Sequence, residues 1–184
     1  DLINVSGDVV SAEVQMQAGG EASTLKDSLS VGGSLSNTTV TSGSGADSIT
    51  VATVKGGSIS VGAGDDTVLV SSSLGGSIDL GSGADTLSAG SSLSVATILG
   101  GSGSDTVNVG GGASSSVVGG YGADSLLFTS HLNSSTVFGG QPGDGGSALD
   151  GDESIYVGGS ISGVLAAGNY GQDTLSVTGS AVAS

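Results

Sequence analysis

The sequence predicts an all-β fold, a parallel β-roll or β-solenoid with coils of 19–20 residues and two short strands per coil. Three observations predict this fold. The 184 residues include 37 glycines but no cysteine or tryptophan, unlike ordinary globular domains. A glycine-rich turn ending in an acidic residue recurs at a nearly fixed spacing, and apolar residues alternate with other residues after each turn. Repeats of this length are typical of solenoids.

The repeated turn has the pattern Gly-x-Gly-x-Asp, and its acidic residue is called the marker acid below. The marker acids are Asp27, Asp47, Asp66, Asp85, Asp105, Asp124, Glu153 and Asp173. Successive marker acids are 19 or 20 residues apart, except for 29 residues between Asp124 and Glu153. We therefore expect residues 1–184 to form a single array of about eight to nine coils, part of a longer repeat protein, with a turn insertion at about 140–153.

The residues after each marker acid alternate with the period of a β-strand, whose side chains point to opposite faces in turn. The second residue after the acid is always aliphatic and the fourth is always apolar, so both are expected to face the core. A second strand before the glycine turn supplies the opposing wall through Val40, Ile59, Ile78, Ile98, Val117 and Val137. Phe128 and Phe138 are expected in the core, whereas Tyr121 and Tyr170 occupy exposed turn positions.

The charge of the chain limits its partners. A formal charge of −15, with only two lysines and no arginine, would repel nucleic acid and anionic membrane surfaces. No apolar run approaches the roughly 20 residues of a membrane span. We therefore expect no nucleic-acid partner and no membrane insertion, and we look for a cationic ligand.

The turn indicates what that ligand is. Glycines with positive φ can aim successive carbonyl oxygens into one concavity, which the carboxylate of the marker acid closes, and such oxygen ligands suit Ca²⁺. Coils stacked about 4.8 Å apart would align the marker acids, whose mutual repulsion a bound cation would relieve. The alternative is that the acid closes an Asx-type turn without metal.

Two segments, GGSGSDTVN at 100–108 and GGYGADSLL at 119–127, match the nonapeptide of the repeats-in-toxin (RTX) proteins, and the chain resembles that family. The resemblance implies a calcium-bound β-roll and an extracellular location, as in bacterial secreted adhesins, surface-layer proteins and toxins; similar coils occur in marine cyanobacterial and phage surface proteins. The alternate turns carry no acid, so a single row of Ca²⁺ sites is implied. The implied ligands are Asp47, Asp66, Asp85, Asp105, Asp124 and Asp173.

The insertion carries four further acids that could enlarge a calcium loop or contact a cell-surface glycan or protein. They are Asp144, Asp150, Asp152 and Glu153. An insertion of this kind can also be tolerated without any role.

Catalysis has little support in the sequence, because its single histidine, His131, lies in a serine-rich turn without a recognisable triad. We expect no enzyme. The leading hypothesis is a calcium-stabilised, non-enzymatic structural or adhesive module at the cell surface that forms a spacer, filament or lattice. The alternative is a virion tail-fibre or receptor-binding segment. The expected partners are copies of the chain or the rest of a longer repeat chain.

Overall fold

The computed structural model describes residues 1–16, 25–142 and 151–182. In these ranges the chain is all-β and winds as a parallel β-solenoid of about 7 turns, which confirms the predicted fold class. The described residues include no helix that could cross a membrane.

The strands are short, and several of them bend from one wall of the solenoid to the next. The first seven are β1 Leu2–Val5, β2 Val9–Val10, β3 Glu13–Gln15, β4 Ser28–Thr41, β5 Ser48–Ser60, β6 Thr67–Val70 and β7 Leu74–Asp79. The next seven are β8 Thr86–Ser94, β9 Thr97–Ser102, β10 Thr106–Ala113, β11 Ser116–Tyr121, β12 Ser125–Phe128, β13 Leu132–Asn133 and β14 Thr136–Gly140. The last five are β15 Ser154–Val157, β16 Ile161–Ser162, β17 Leu165–Ala167, β18 Thr174–Val177 and β19 Ala181–Val182.

Each wall is a stack of parallel segments in a register that follows the sequence repeat. In the first wall, Leu29 pairs with Ile49, and the following coils add residues at the same place after the marker acid. Residues 125–128 pair directly with residues 154–157. The extra residues before Glu153 therefore lie within one coil, as the spacing predicted. Residues 2–5 pair with residues 28–31, so the start of the chain continues the same wall.

The core consists of aliphatic columns from all walls. The predicted columns of the first wall and of the strand before the glycine turn are buried, including Val68, Val70 and Ile78. The structure adds a third short segment to the coil, between the two predicted strands. Its inward residues include Leu35, Val54, Leu74, Leu93 and Leu132. This segment is hard to predict because serines and glycines surround its single apolar residue.

The aromatic residues divide between the core and the surface. Phe128 is buried, as predicted. The prediction that Phe138 belongs to the core is wrong, because β14 alternates with Val137 inward and places Phe138 on the partly exposed outer face. Tyr170 is exposed and Tyr121 is partly exposed in their glycine turns.

Candidate functional site

The marker acids form a continuous buried row along one corner of the solenoid, which we call the carboxyl ladder. It comprises Asp27, Asp47, Asp66, Asp85, Asp105, Asp124, Glu153 and Asp173. From Asp47 to Glu153 their side chains are only 1–2% exposed, although acidic residues are rarely buried without a partner. Asp173, in the last described coil, is exposed. The turn glycines position the row, since positive φ at residues such as Gly62 and Gly64 folds the chain so that the acid points inward.

Hydrogen bonds connect the ladder from coil to coil. The backbone N–H of Asp47 donates to Oδ1 of Asp66 at 2.7 Å, and the N–H of Asp66 donates to Oδ1 of Asp85 at 2.7 Å. The same bond repeats at the other described steps, at 2.8 Å from Asp27, 2.9 Å from Asp85, 2.8 Å from Asp105 and 3.1 Å from Glu153. These bonds span 19 or 20 residues, whereas an Asx turn closes within a few residues. The carboxyl groups therefore join coils.

The second oxygen of these carboxyl groups has a different environment. Oδ2 of Asp47, Asp66, Asp85 and Asp105 is buried and has no hydrogen-bond partner. A buried polar atom without a partner costs about 1–3 kcal/mol, and more when the group is charged. Each of these four groups therefore needs a proton or a cation at Oδ2.

The electrostatics of the row agree with that need. Burial raises the pKa of Asp66 from its ordinary value of 3.8 to about 6, against the lowering effect of the N–H of Asp47. Burial raises the pKa of Asp85 to about 7, and the carboxylates of Asp105 and Asp66 add to the rise. Burial also raises the pKa of Asp105. The ionised row is thus unfavourable by itself.

The acids of the predicted insertion do not act together in the described residues. Glu153 takes the place of a marker acid in the ladder. Asp152 is exposed, and its Oδ1 accepts the backbone N–H of Gln172 at 2.8 Å. Asp144 and Asp150 lie outside the described residues.

A second inward polar column, which the sequence analysis did not predict, lies at a different corner and is called the hydroxyl ladder. It contains Thr38, Ser115 and Ser135, which are buried. Oγ of Ser115 accepts the N–H of Ala96 at 3.1 Å and donates to the carbonyl of Ala113 at 3.1 Å. Oγ of Ser135 accepts the N–H of Ser115 and donates to the carbonyl of Asn133. A hydroxyl can thus both donate and accept here.

The carboxyl ladder suits a cation that takes few carboxylates per ion. In residues 1–16, 25–142 and 151–182, no three acidic or histidine side chains form a ready-made metal site. Backbone carbonyl oxygens would have to supply the remaining ligands of a Ca²⁺ ion, which takes six to eight oxygens. The buried Oδ2 atoms and the glycine-rich turns fit that requirement.

A shallow groove of about 440 Å³ lies elsewhere on the surface, over Gly110, Gly111 and Gly112. Serine side chains and His131 flank it. Nδ1 of His131 accepts the N–H of Ser160 at 2.8 Å, so the neutral ring carries its proton on Nε2. This contact gives the histidine a structural role between two coils.

No protein-family model, curated protein or solved structure matches this chain. The parallel β-solenoid fits a β-roll repeat, and calcium binding at its turns stays a prediction.

Proposed function

We propose that this chain is a non-enzymatic structural repeat module of an extracellular protein, in which Ca²⁺ bound along the carboxyl ladder stabilises the stacked coils. The module would serve as a spacer, a filament or an element of a cell-surface lattice. A structural role agrees with a chain that devotes its repeated residues to joining one coil to the next.

The buried Oδ2 atoms of the ladder carry this proposal. Asn would keep the acceptor for the N–H of the preceding coil and would add a donor of its own, without charge. The chain places an acid at all eight positions of the ladder, although each ionised acid there needs a cation. A bound ion would supply positive charge between neighbouring coils, and the marker acids would hold it together with carbonyl oxygens of the turns.

The last described coil supports stacking on further coils of the same kind. Leu175 is 51% exposed, whereas Ile155, its partner in the preceding coil, is 2% exposed. In the ladder, each N–H donates toward the following coil, so the N–H of Asp173 faces the uncovered side. Another solenoid coil with a marker acid would cover the apolar residues and accept this N–H. The partners proposed are therefore copies of this chain or further coils of a longer repeat chain, stacked head to tail.

An extracellular setting follows from the proposed ion, since calcium sites of extracellular modules bind in the range of about 10⁻⁴–10⁻³ M. The excess of acidic residues gives the outer surface no attraction for nucleic acid.

Far-UV circular dichroism of the whole chain during a Ca²⁺ titration, with Mg²⁺ as the control ion, tests the proposal. We expect the β signal and the melting temperature to rise with Ca²⁺ and to respond much less to Mg²⁺, which demands a tighter octahedral site. A β spectrum and a melting temperature that a chelator leaves unchanged would contradict calcium stabilisation.

A further inference from the structure

Four turns of the carboxyl ladder have the same backbone but differ in one side chain. The turns before Asp66, Asp85, Asp105 and Asp124 each contain two glycines at the same two places, all with positive φ. These φ values are 98° and 128° for Gly62 and Gly64, 91° and 132° for Gly81 and Gly83, 109° and 129° for Gly101 and Gly103, and 118° and 107° for Gly120 and Gly122. Any difference in ion binding between these turns must therefore come from their side chains.

The difference lies five residues before the marker acid, at what we call the facing position. Parallel bridges between Ala63, Ser82 and Ser102 place the facing positions of three successive coils in one stack. The facing residues of the four turns are Val61, Leu80, Gly100 and Gly119. Val61 and Leu80 are fully buried, each 0% exposed, so two turns contain an inward aliphatic side chain where the next two contain none.

At the glycines, the carboxyl group of the marker acid takes that space. The point at which a side chain of Gly100 would begin lies 2.7 Å from Oδ2 of Asp105, and the corresponding point of Gly119 lies 2.5 Å from Oδ2 of Asp124. The carbonyl oxygen of Gly119 also lies against the point at Gly100, and that of Gly139 against the point at Gly119. A carboxyl oxygen and a carbonyl oxygen of the next coil therefore converge beside each glycine.

Converging oxygens of this kind repel one another unless a cation lies near them. Oδ2 of Asp105 is buried and has no hydrogen-bond partner, so it is available to an ion. Val61 and Leu80 provide no oxygen, and their branched side chains exclude the water or carbonyl ligands that would complete six to eight oxygens around Ca²⁺. The cost of stripping water from the ion would not be offset there.

We propose that the facing residue decides which turns of the ladder bind Ca²⁺: Gly100 and Gly119 admit the ion at Asp105 and Asp124, whereas Val61 and Leu80 exclude it at Asp66 and Asp85. This inference rests on the proposed function. It divides the solenoid into an N-terminal part that packing holds together without metal and a C-terminal part that depends on the ion.

Two matched double variants of the whole chain test the inference by calorimetric Ca²⁺ titration. One is Asp105→Asn with Asp124→Asn, and the other is Asp66→Asn with Asp85→Asn. Each Asn keeps the Oδ1 acceptor, and circular dichroism checks that both variants keep the β fold. We expect the first variant to bind fewer Ca²⁺ ions than the wild type and the second to bind as many as the wild type.

The reverse exchange of facing residues gives an independent readout. Val61→Gly with Leu80→Gly should increase the number of bound ions. Hydrogen exchange should show that Ca²⁺ protects the backbone N–H of Asp105 and Asp124 more than that of Asp47 and Asp66. An equal loss of ions in both Asn variants, or uniform protection of all four N–H groups, would overturn the inference and leave the proposed function intact. A wild-type chain that binds no Ca²⁺ would overturn both.

Discussion

Two corners of each coil solve the same problem with different chemistry. At the hydroxyl ladder, Oγ of Ser115 accepts one bond and donates another, so the group is fully satisfied within the protein. At the carboxyl ladder, Oδ1 of Asp85 accepts the N–H of Asp66, but its Oδ2 is buried without a partner. An ionised carboxylate has no proton to donate. The comparison places the dependence on a ligand at the carboxyl corner alone.

The sharpest way to break this comparison is to remove the charge from the carboxyl corner while keeping its acceptor. Asp66→Asn and Asp85→Asn should each stabilise the chain by about 1–3 kcal/mol at about pH 8 in the presence of a chelator, because no ionised oxygen stays buried without a partner. Urea unfolding of the single and double variants measures the effect. Destabilisation by both substitutions would show that the ionised ladder is already satisfied.

A change of pH should supply the missing partner as a proton. The folded-state pKa values of Asp66 and Asp85 are raised to about 6 and about 7 from 3.8, so the folded chain binds more protons than the unfolded chain between these values. The stability that protonation provides is full below about pH 3.8 and is lost as the pH rises through about 6 to 7. In chelator, the chain should therefore be more stable at about pH 5 than at about pH 8.

The variant Asp66→Asn with Asp85→Asn is the control for the pH experiment. Its stability should change less between the same two pH values, since two of the titrating groups are gone. An equal pH dependence of wild type and variant would assign the effect to other acids.

The hydroxyl corner should respond to substitution but not to ligands. Ser115→Ala removes the acceptor of the N–H of Ala96 and should destabilise the chain by about 1–2 kcal/mol, to the same extent with Ca²⁺ and with chelator. The exposed Ser94 provides the control substitution, Ser94→Ala, which should change stability little. A loss at Ser115 that appears only with chelator would mean that the two corners are coupled.

The smallest expected effect concerns backbone strain beside the hydroxyl corner. Val95 is 74% exposed and has φ of 53°, a conformation that β-branched residues avoid. Val95→Asn should stabilise the chain by about 1 kcal/mol, because Asn tolerates this region better. Val95→Ala tests the alternative explanation, and a gain equal to that of Asn would mean that the exposed valine itself, not its φ, is unfavourable. Thermal melting measures both variants.

The sequence predicts the solenoid well because its signal is repeated. The spacing of the marker acids and the aliphatic residues after them define the coil, and the insertion before Glu153 follows from the one irregular interval. The alignment of the marker acids is also predictable, since stacked coils of equal length place equal positions together. Their burial is less apparent, because acids in glycine turns are ordinarily solvated.

The remaining features depend on side-chain direction, which composition does not reveal. The hydroxyl ladder shares its column with Gly57, Gly76 and Ala96, so no uniform residue type marks it. Phe138 looked like a core residue because of its size, yet the alternation of β14 turns it outward. The contrast between Leu80 and Gly100 is visible in the sequence, but its meaning requires the knowledge that both positions face the buried acids.

A ¹³C NMR titration of the aspartate carboxyl groups tests the central claim most directly, with Asp66→Asn and Asp85→Asn used to assign the two resonances. In chelator, the account predicts midpoints well above 3.8, at about 6 for Asp66 and about 7 for Asp85. Midpoints near 3.8 for both residues in the folded chain would contradict it, because the ladder would then carry its charges without a proton or a cation.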